Sequence, residues 1–225
     1  YSFAFSPIFF EISGFFNRKI IFSAHSFILF TKNPFTPLII CIGIPPTFPP
    51  IIGLPFHNPS VTVSPNPSLV EVEKKSLDSY VKIVGKKKIE EIKDFSSNLE
   101  GYKVLHVNST AYGGGVAEIL QALVPLMRDV GLDAEWRTIS GDKSFFNVTK
   151  AFHNALQGMD IRLNQEMRDI YLKYNKKNAK NFSGEYDFIV IHDPQPAAIY
   201  HYLKPYPGVW IWRCHIDLTN TNKAF

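Results

Sequence analysis

Cysteine is nearly absent from this sequence: Cys41 and Cys214 are the two in 225 residues. They match no disulfide framework and no metal-ligand spacing, so a reducing, cytoplasmic setting fits and no metal centre is expected. A strong charge of one sign is lacking as well. The net charge is +4 with no strongly basic block, which argues against nucleic acid as the main ligand. The one local cluster, Lys86, Lys87 and Lys88, is followed by Glu90 and Glu91 at helical spacing and reads as a solvated helix face. No GxGxxG pattern, no GK[ST] and no G-x-S-x-G elbow occurs, so hydride transfer, P-loop hydrolysis and serine-type acyl transfer all lose support.

Charged residues of either sign are rare before Leu69, where only Glu11, Arg18, Lys19 and Lys32 occur. That segment holds 11 of the 16 prolines and 12 of the 19 phenylalanines, whereas beyond it acidic and basic residues mix as on an ordinary surface. The shift marks a boundary: residues 1–68 are expected to be a poorly ordered or non-native upstream segment, and residues 69–225 a separate domain. A membrane anchor is not expected in the first segment. Pro34, Pro37, Pro45, Pro46, Pro49, Pro50 and Pro55 each remove a backbone donor that lipid cannot replace. The uncharged run before Lys32 is shorter than the ~20 residues a span requires. Glu11 near the front, with no basic start leading into one apolar core, argues against a signal peptide.

The second segment alternates between helical and extended patterns. One or two short amphipathic helices broken at Gly85 are expected over residues 70–99. A strand at 102–107 then leads through three glycines into a helix at 116–130, with Val116, Ile119, Leu120, Leu123, Met127 and Val130 as its apolar stripe, Pro125 bending it and Gly131 closing it. Further strands are expected at 134–139, 187–191 and 209–213, and helices at 145–156, 165–178 and 196–203, the second of these helices carrying Met167, Ile170, Tyr171 and Tyr174 on one face with lysines elsewhere. The alternation predicts an α/β fold, a doubly wound parallel Rossmann-like sheet whose ligand site lies beyond the carboxyl ends of its strands.

Those ends carry the candidate chemistry. Gly113, Gly114 and Gly115 open a helix whose first N–H groups suit an anion such as pyrophosphate; the same glycines would also serve a tight turn alone. Glu118 in that first turn stabilises the helix but repels an anion, so it suits sugar hydroxyls or the helix end. His192 and Asp193 follow one strand, and His215 and Asp217 follow the next. Two His/Asp pairs on one sheet edge suit carbohydrate hydroxyls, and their spacing is no standard zinc set. Arg213 either pairs with Asp193 or Asp217, or holds a phosphate.

Four stretches in this order, VNSTAYGGGVAEIL, FFNVTKAFHNALQG, HDPQPAA and WRCHIDL, resemble the N-terminal domain of the trehalose synthases of the glycosyltransferring type, which are retaining family-four glycosyltransferases with the GT-B fold. The resemblance covers residues 81–225. It implies reversible transfer of glucose between a nucleoside diphosphate glucose and free glucose to give trehalose, with no required metal or cofactor. By the same resemblance Gly113, Gly114 and Gly115 approach the donor pyrophosphate, and His215 contacts the transferred sugar at the reaction centre. Asp193 and Gln195 line the cleft, with Glu118, His153 and Asn154 as acceptor contacts and Arg213 and Asp217 as further sugar-binding candidates. It further implies that the N-terminal domain is incomplete at Phe225, that a C-terminal donor-binding domain is missing, and that a homodimer is an option for the full-length protein. A non-catalytic sugar- or nucleotide-binding remnant of a disrupted gene is the competing reading. A related sucrose- or mannosyl-type transferase is another.

The first methionine is Met127, which suggests that residues 1–68 translate sequence upstream of a non-methionine start near Leu69. Mass spectrometry of the native protein is expected to find an amino terminus near that position. One well before residue 60 would rule the idea out.

Overall fold

Residue Leu105 faces one side of the central strand and His106 the other, and this alternation sets helices on both faces of one sheet among the described residues. The computed structural model describes residues 38–41, 68–203 and 205–222. All of them belong to the unit Phe35–Phe225. The expectations for residues 1–68 fall outside the described residues, except at Leu38–Cys41 and Ser68.

The parallel strands are β3 (Lys103–Asn108), β4 (Asp133–Thr138), β5 (Phe188–His192) and β6 (Val209–Cys214). Two strands not expected from the sequence flank them. β1 (Leu38–Cys41) lies parallel to β6, and β2 (Ser68–Leu69) lies antiparallel to β4. The sheet order is β1-β6-β5-β3-β4-β2.

The helices fall where the periodicity puts them, with shifted ends. A 3-10 turn at Leu77–Tyr80 runs into α1 (Val81–Val84), and α2 (Lys86–Ser97) follows after a break at Gly85. They anchor to the end of α3 (Gly115–Asp129), where the Asp129 carboxylate accepts the Leu77 N–H at 2.7 Å. Ala117, Leu120 and Val124 of α3 are buried against Val104, Ala134 and Trp136. Ile119, expected on the inner stripe, is instead 41% exposed, because the buried stripe is centred one residue away on Ala117 and Leu120.

On the other face α4 (Lys143–Leu156), α5 (Gln165–Lys180) and α6 (Ile199–Leu203) pack over Leu105, Val107, Ile189, Ile191 and Trp210. Asp142 caps α4 by accepting the Phe145 N–H at 2.9 Å. Gly141 beside it leaves room for the fully buried Phe145 ring, with which a Cβ would collide. In α5 the innermost side chains are Asn175, Asn178 and Ala179, while the expected face of Met167, Ile170, Tyr171 and Tyr174 is only half-buried. The asparagines go inside because loop backbone ends there. Asn178 accepts from the Ser140 N–H and donates to its carbonyl, both at 2.8 Å, and Asn175 donates to the Gln195 carbonyl at 3.1 Å.

This topology has one reversal. The chain leaves β3 through α3 on one face and leaves β5 through α6 on the other, and β3 and β5 are neighbours. Their carboxyl ends therefore diverge into a crevice, the place where open α/β sheets bind ligands. Among the described residues no helix is long and apolar enough to cross a membrane.

Asn178 is the buried clamp at the end of β4. Asn178→Ala leaves the Ser140 N–H and carbonyl unpaired and is expected to destabilise by about 2 to 4 kcal/mol in equilibrium urea unfolding. A change below about 0.5 kcal/mol would show that the clamp carries no load.

Candidate active site

The crevice between β3 and β5 is framed by two loops, each fixed by buried polar groups. On the β3 side Asn108 is buried and bridges two elements: its Oδ1 accepts the Trp136 indole N–H at 2.8 Å, and its Nδ2 donates to the Thr110 carbonyl at 2.7 Å. Thr110 Oγ1 donates to the Tyr112 carbonyl at 2.8 Å, which bends the chain toward the glycines. Gly113 has φ 71°, a left-handed conformation that glycine adopts without strain. The backbones of Gly114 and Gly115 need no glycine on that ground, and a Cβ on any of the three glycines meets nothing within 4 Å. The turn accounts for Gly113, and open space remains beside the other two. Helix α3 begins there with no side-chain cap, so its first N–H groups have no side-chain partner at the N-cap.

On the β5 side Asp193 is the one non-glycine among the described residues with positive φ, at 63°. Such a conformation costs about 1 to 3 kcal/mol and persists only when the surroundings fix it. Three bonds do so. The Asp193 N–H donates to the Arg213 carbonyl at 2.9 Å, its carbonyl accepts the Trp212 indole N–H at 2.9 Å, and its Oδ1 accepts the His215 N–H at 2.7 Å. Burial raises the Asp193 carboxyl above its usual range, against the opposing pull of the His215 N–H, His153 and Arg213. Arg213 lies in the field of Asp193 without a direct ion pair, and its Nε is buried with no hydrogen-bond partner. Gln195 Oε1 is buried and unpartnered in the same loop, while α5 holds the neighbouring backbone through Tyr171, whose hydroxyl donates to the Pro194 carbonyl at 2.8 Å.

Beneath the two loops runs a row of three histidines. His106 Nδ1 lies 2.9 Å from His192 Nε2, and His192 Nδ1 lies 2.9 Å from His215 Nε2. The inner end of the row, His106 Nε2, sits 3.3 Å from Met127 Sδ. Burial, aided by the Arg213 charge, lowers His106 to about 3 and His215 to about 4, and His192 is pushed well down by burial and by its two neighbours. All three rings are therefore neutral at pH 7. Their nitrogens face one another rather than a common centre, and among the described residues no cluster is arranged to hold a metal ion.

Of the residues singled out from sequence, the fold gathers His215, Asp193, Arg213 and Gln195, and brings His153 into the field of Asp193. His153 is itself lowered by burial, against the pull of Asp193 and a bond from Gln157. Asn154 lies beside it on α4, and its carbonyl accepts the Met159 N–H at 2.9 Å. Glu118 is exposed on the first turn of α3, next to the glycine loop. Asp217 turns away to accept from the Thr219 N–H at 2.8 Å and stands at the surface. His106, Asn108, Met127, Asn175 and Asn178 were not among the sequence candidates. A histidine in the otherwise apolar run of β3 was the one available signal.

Residues 106–225 match the family model for the N-terminal domain of trehalose synthase. The chain belongs to this family. It is 54% identical over 156 residues to the trehalose synthase of Thermococcus litoralis, an alignment that takes in 68% of this chain and 37% of that protein. The trehalose synthase of Rubrobacter xylanophilus is 47% identical over 158 residues, 66% of this chain and 37% of its own length. A trehalose phosphorylase from Pleurotus sajor-caju is 34% identical over 131 residues, 52% of this chain and 17% of its own. The chain thus spans a little over a third of the length of the trehalose synthases it matches. The sheet and its helices are those of a Rossmann-like GT-B N-terminal domain, as the resemblance implied, and the family match begins at His106 and contains the whole histidine row.

The lowered histidines fix the sign of a pH effect. Between the ordinary 6.5 and the folded values of about 3 and 4, the unfolded chain takes up protons that folded His106 and His215 refuse. Stability therefore falls as pH falls through that window. Asp193, raised above 3.8, acts in the opposite sense nearer its own range. The urea midpoint is expected to be lower at about pH 4.5 than at about pH 7, and an equal or higher midpoint would contradict the burial of neutral histidines.

Proposed function

We propose that this chain forms the N-terminal wall of a glucosyl-transfer site, with the transferred glucose at His215 and the donor diphosphate at the glycine loop. The observation that carries this reading is the meeting, at one sheet reversal, of an open helix N-terminus with a constrained Asp193–His215 pair. Backbone N–H groups at the start of α3 suit diphosphate oxygens, and the free space beside Gly114 and Gly115 suits a close approach. His215, neutral and fixed by its neighbours, suits a sugar hydroxyl, and Asp193, Gln195 and Arg213 supply buried polar groups around it.

The reaction we assign is retaining transfer between a nucleoside diphosphate glucose and glucose. The bond from glucosyl C1 to the diphosphate oxygen breaks, a bond forms from C1 to the anomeric oxygen of the acceptor, and the acceptor proton goes to the leaving diphosphate. Trehalose is the product, and the step runs in both directions. Charge develops on the diphosphate and on the sugar ring together, so groups fixed in advance at both sites matter most. We read the transfer as independent of a metal or added cofactor. The nucleotide and the rest of the charge stabilisation we assign to the length of the relatives that this chain does not match, which makes a second domain the partner of this one. Glu118, His153 and Asn154 are the acceptor contacts in this reading.

Saturation-transfer NMR with the 225-residue chain is expected to detect weak binding of glucose and of a nucleoside diphosphate glucose. Gly114→Ala should leave the unfolding midpoint unchanged, because its Cβ has room, yet weaken the nucleotide-sugar about tenfold by blocking the diphosphate. Equal affinity in the variant would remove the glycine loop from the site. Labelled donor and glucose should yield no trehalose with this chain alone. Trehalose formation would overturn the assignment of the remaining machinery to a second domain.

A further inference from the structure

A row of neutral imidazoles bonded nitrogen to nitrogen has one proton per ring. With both 2.9 Å contacts satisfied, the row has two proton arrangements. In one, every ring carries its proton on Nε2: His215 donates to His192, His192 donates to His106, and His106 points its N–H at Met127. In the other, every proton sits on Nδ1, all donations reverse, and the unprotonated Nε2 of His106 faces the sulfur.

The thioether decides between them. It accepts a hydrogen bond weakly and has no proton to donate. At 3.3 Å a protonated Nε2 meets a sulfur lone pair favourably, whereas an unprotonated one sets two lone pairs against each other. Burial keeps the choice from being masked by water, since His106 is 3% exposed and His192 fully buried. The rings are also held in position, with centroids 5.2 Å apart at both steps. Arg213 and Asp193 are the charged groups beside the row: the Arg213 field disfavours an extra proton on any of the three rings, and Asp193 Oδ1 is engaged by the backbone N–H of His215.

We propose that Met127, acting through His106 and His192, fixes the tautomer of His215, so that Nδ1 is left as a hydrogen-bond acceptor. Met127, His106 and His192 are then positioning residues, remote from the substrate. Resting on the reading that His215 meets the transferred glucose, the arrangement makes this ring accept a hydrogen bond from a sugar hydroxyl rather than donate one. A fixed acceptor rejects a ligand that presents only an acceptor at that position, and it needs no tautomer change on binding.

The test uses the 225-residue chain labelled with ¹⁵N at histidine, in long-range proton–nitrogen spectra near pH 7. Rings are assigned with His106→Gln, His192→Gln and His215→Gln. All three are expected as the Nε2–H form in the unaltered chain. A Nδ1–H form or a charged ring at any of the three overturns the proposal, and this arm needs no variant at Met127. Met127→Leu keeps the volume but removes the acceptor. It should shift the balance toward Nδ1–H at His215 on the order of tenfold, the loss of one hydrogen bond, across more than one ring at once. Unchanged tautomers in a folded Met127→Leu chain would overturn the role of the sulfur. Added glucose or nucleoside diphosphate glucose should move the His215 nitrogen signals. With the tautomers as expected, the absence of that shift rejects the sugar site alone, so the two failures are told apart.

Discussion

The register of β3, β5 and β6 is the constraint on which the site depends. His106 pairs with Val190, two residues before His192, and His192 pairs with Arg213, two residues before His215. Each step to the next strand therefore climbs by two residues, the period that keeps side chains on one face of a sheet. The three rings meet as a diagonal row because of this offset. A slip of one residue at either pairing would turn one ring to the opposite face and replace a buried hydrogen bond with two unpaired nitrogens.

Around this row the protein places buried polar groups where an ordinary core would place hydrocarbon. Asn108, Asn175 and Asn178 each end in loop backbone and tie the glycine turn, the Gln195 loop and the end of β4 to the interior. Asp193 is held at positive φ by three hydrogen bonds from different parts of the β5–β6 edge. Unpaired, each of these groups would carry a desolvation cost of about 1 to 3 kcal/mol, so their pairing makes the loop geometry stiff. Among the described residues three buried side-chain atoms lack partners, Arg213 Nε, Gln195 Oε1 and Asn175 Oδ1; Arg213 lies in the field of Asp193, and Asn175 donates to the backbone of the Gln195 loop. Stiffness and unmet hydrogen-bonding capacity thus occur together at the crevice, which is the combination a preorganised polar site requires.

How legible this was varied with the kind of interaction. The strands and helices were visible because burial of one face imposes a period, and β3 through β6 each lie within a residue or two of their expected bounds. His215, Asp193 and Arg213 stood out because two His/Asp pairs and an arginine stand at the ends of neighbouring strands at one edge of the sheet. The inner face of α5 was legible in part: Ile170, Tyr171 and Tyr174 pack against the core as their spacing implies, whereas the buried Asn175 and Asn178 are indistinguishable by periodicity from the other polar residues of that helix. β1 and β2 were missed because four and two residues are too short to show a period.

The α/β alternation, the glycine turn before α3 and the family to which the chain belongs are legible in the residues alone, because these rest on local periodicity and on contiguous motifs. Only the tertiary structure decided that His106, His192 and His215 form one bonded row ending at Met127, and that Asp193 is held by residues about twenty positions away. The physical reason is that strand order and register set those contacts, and neither is written in any single stretch of the chain. The triple glycine shows the difference most plainly: as sequence its members are alike, and in the fold all three border open space but only Gly113 takes the left-handed conformation of the turn.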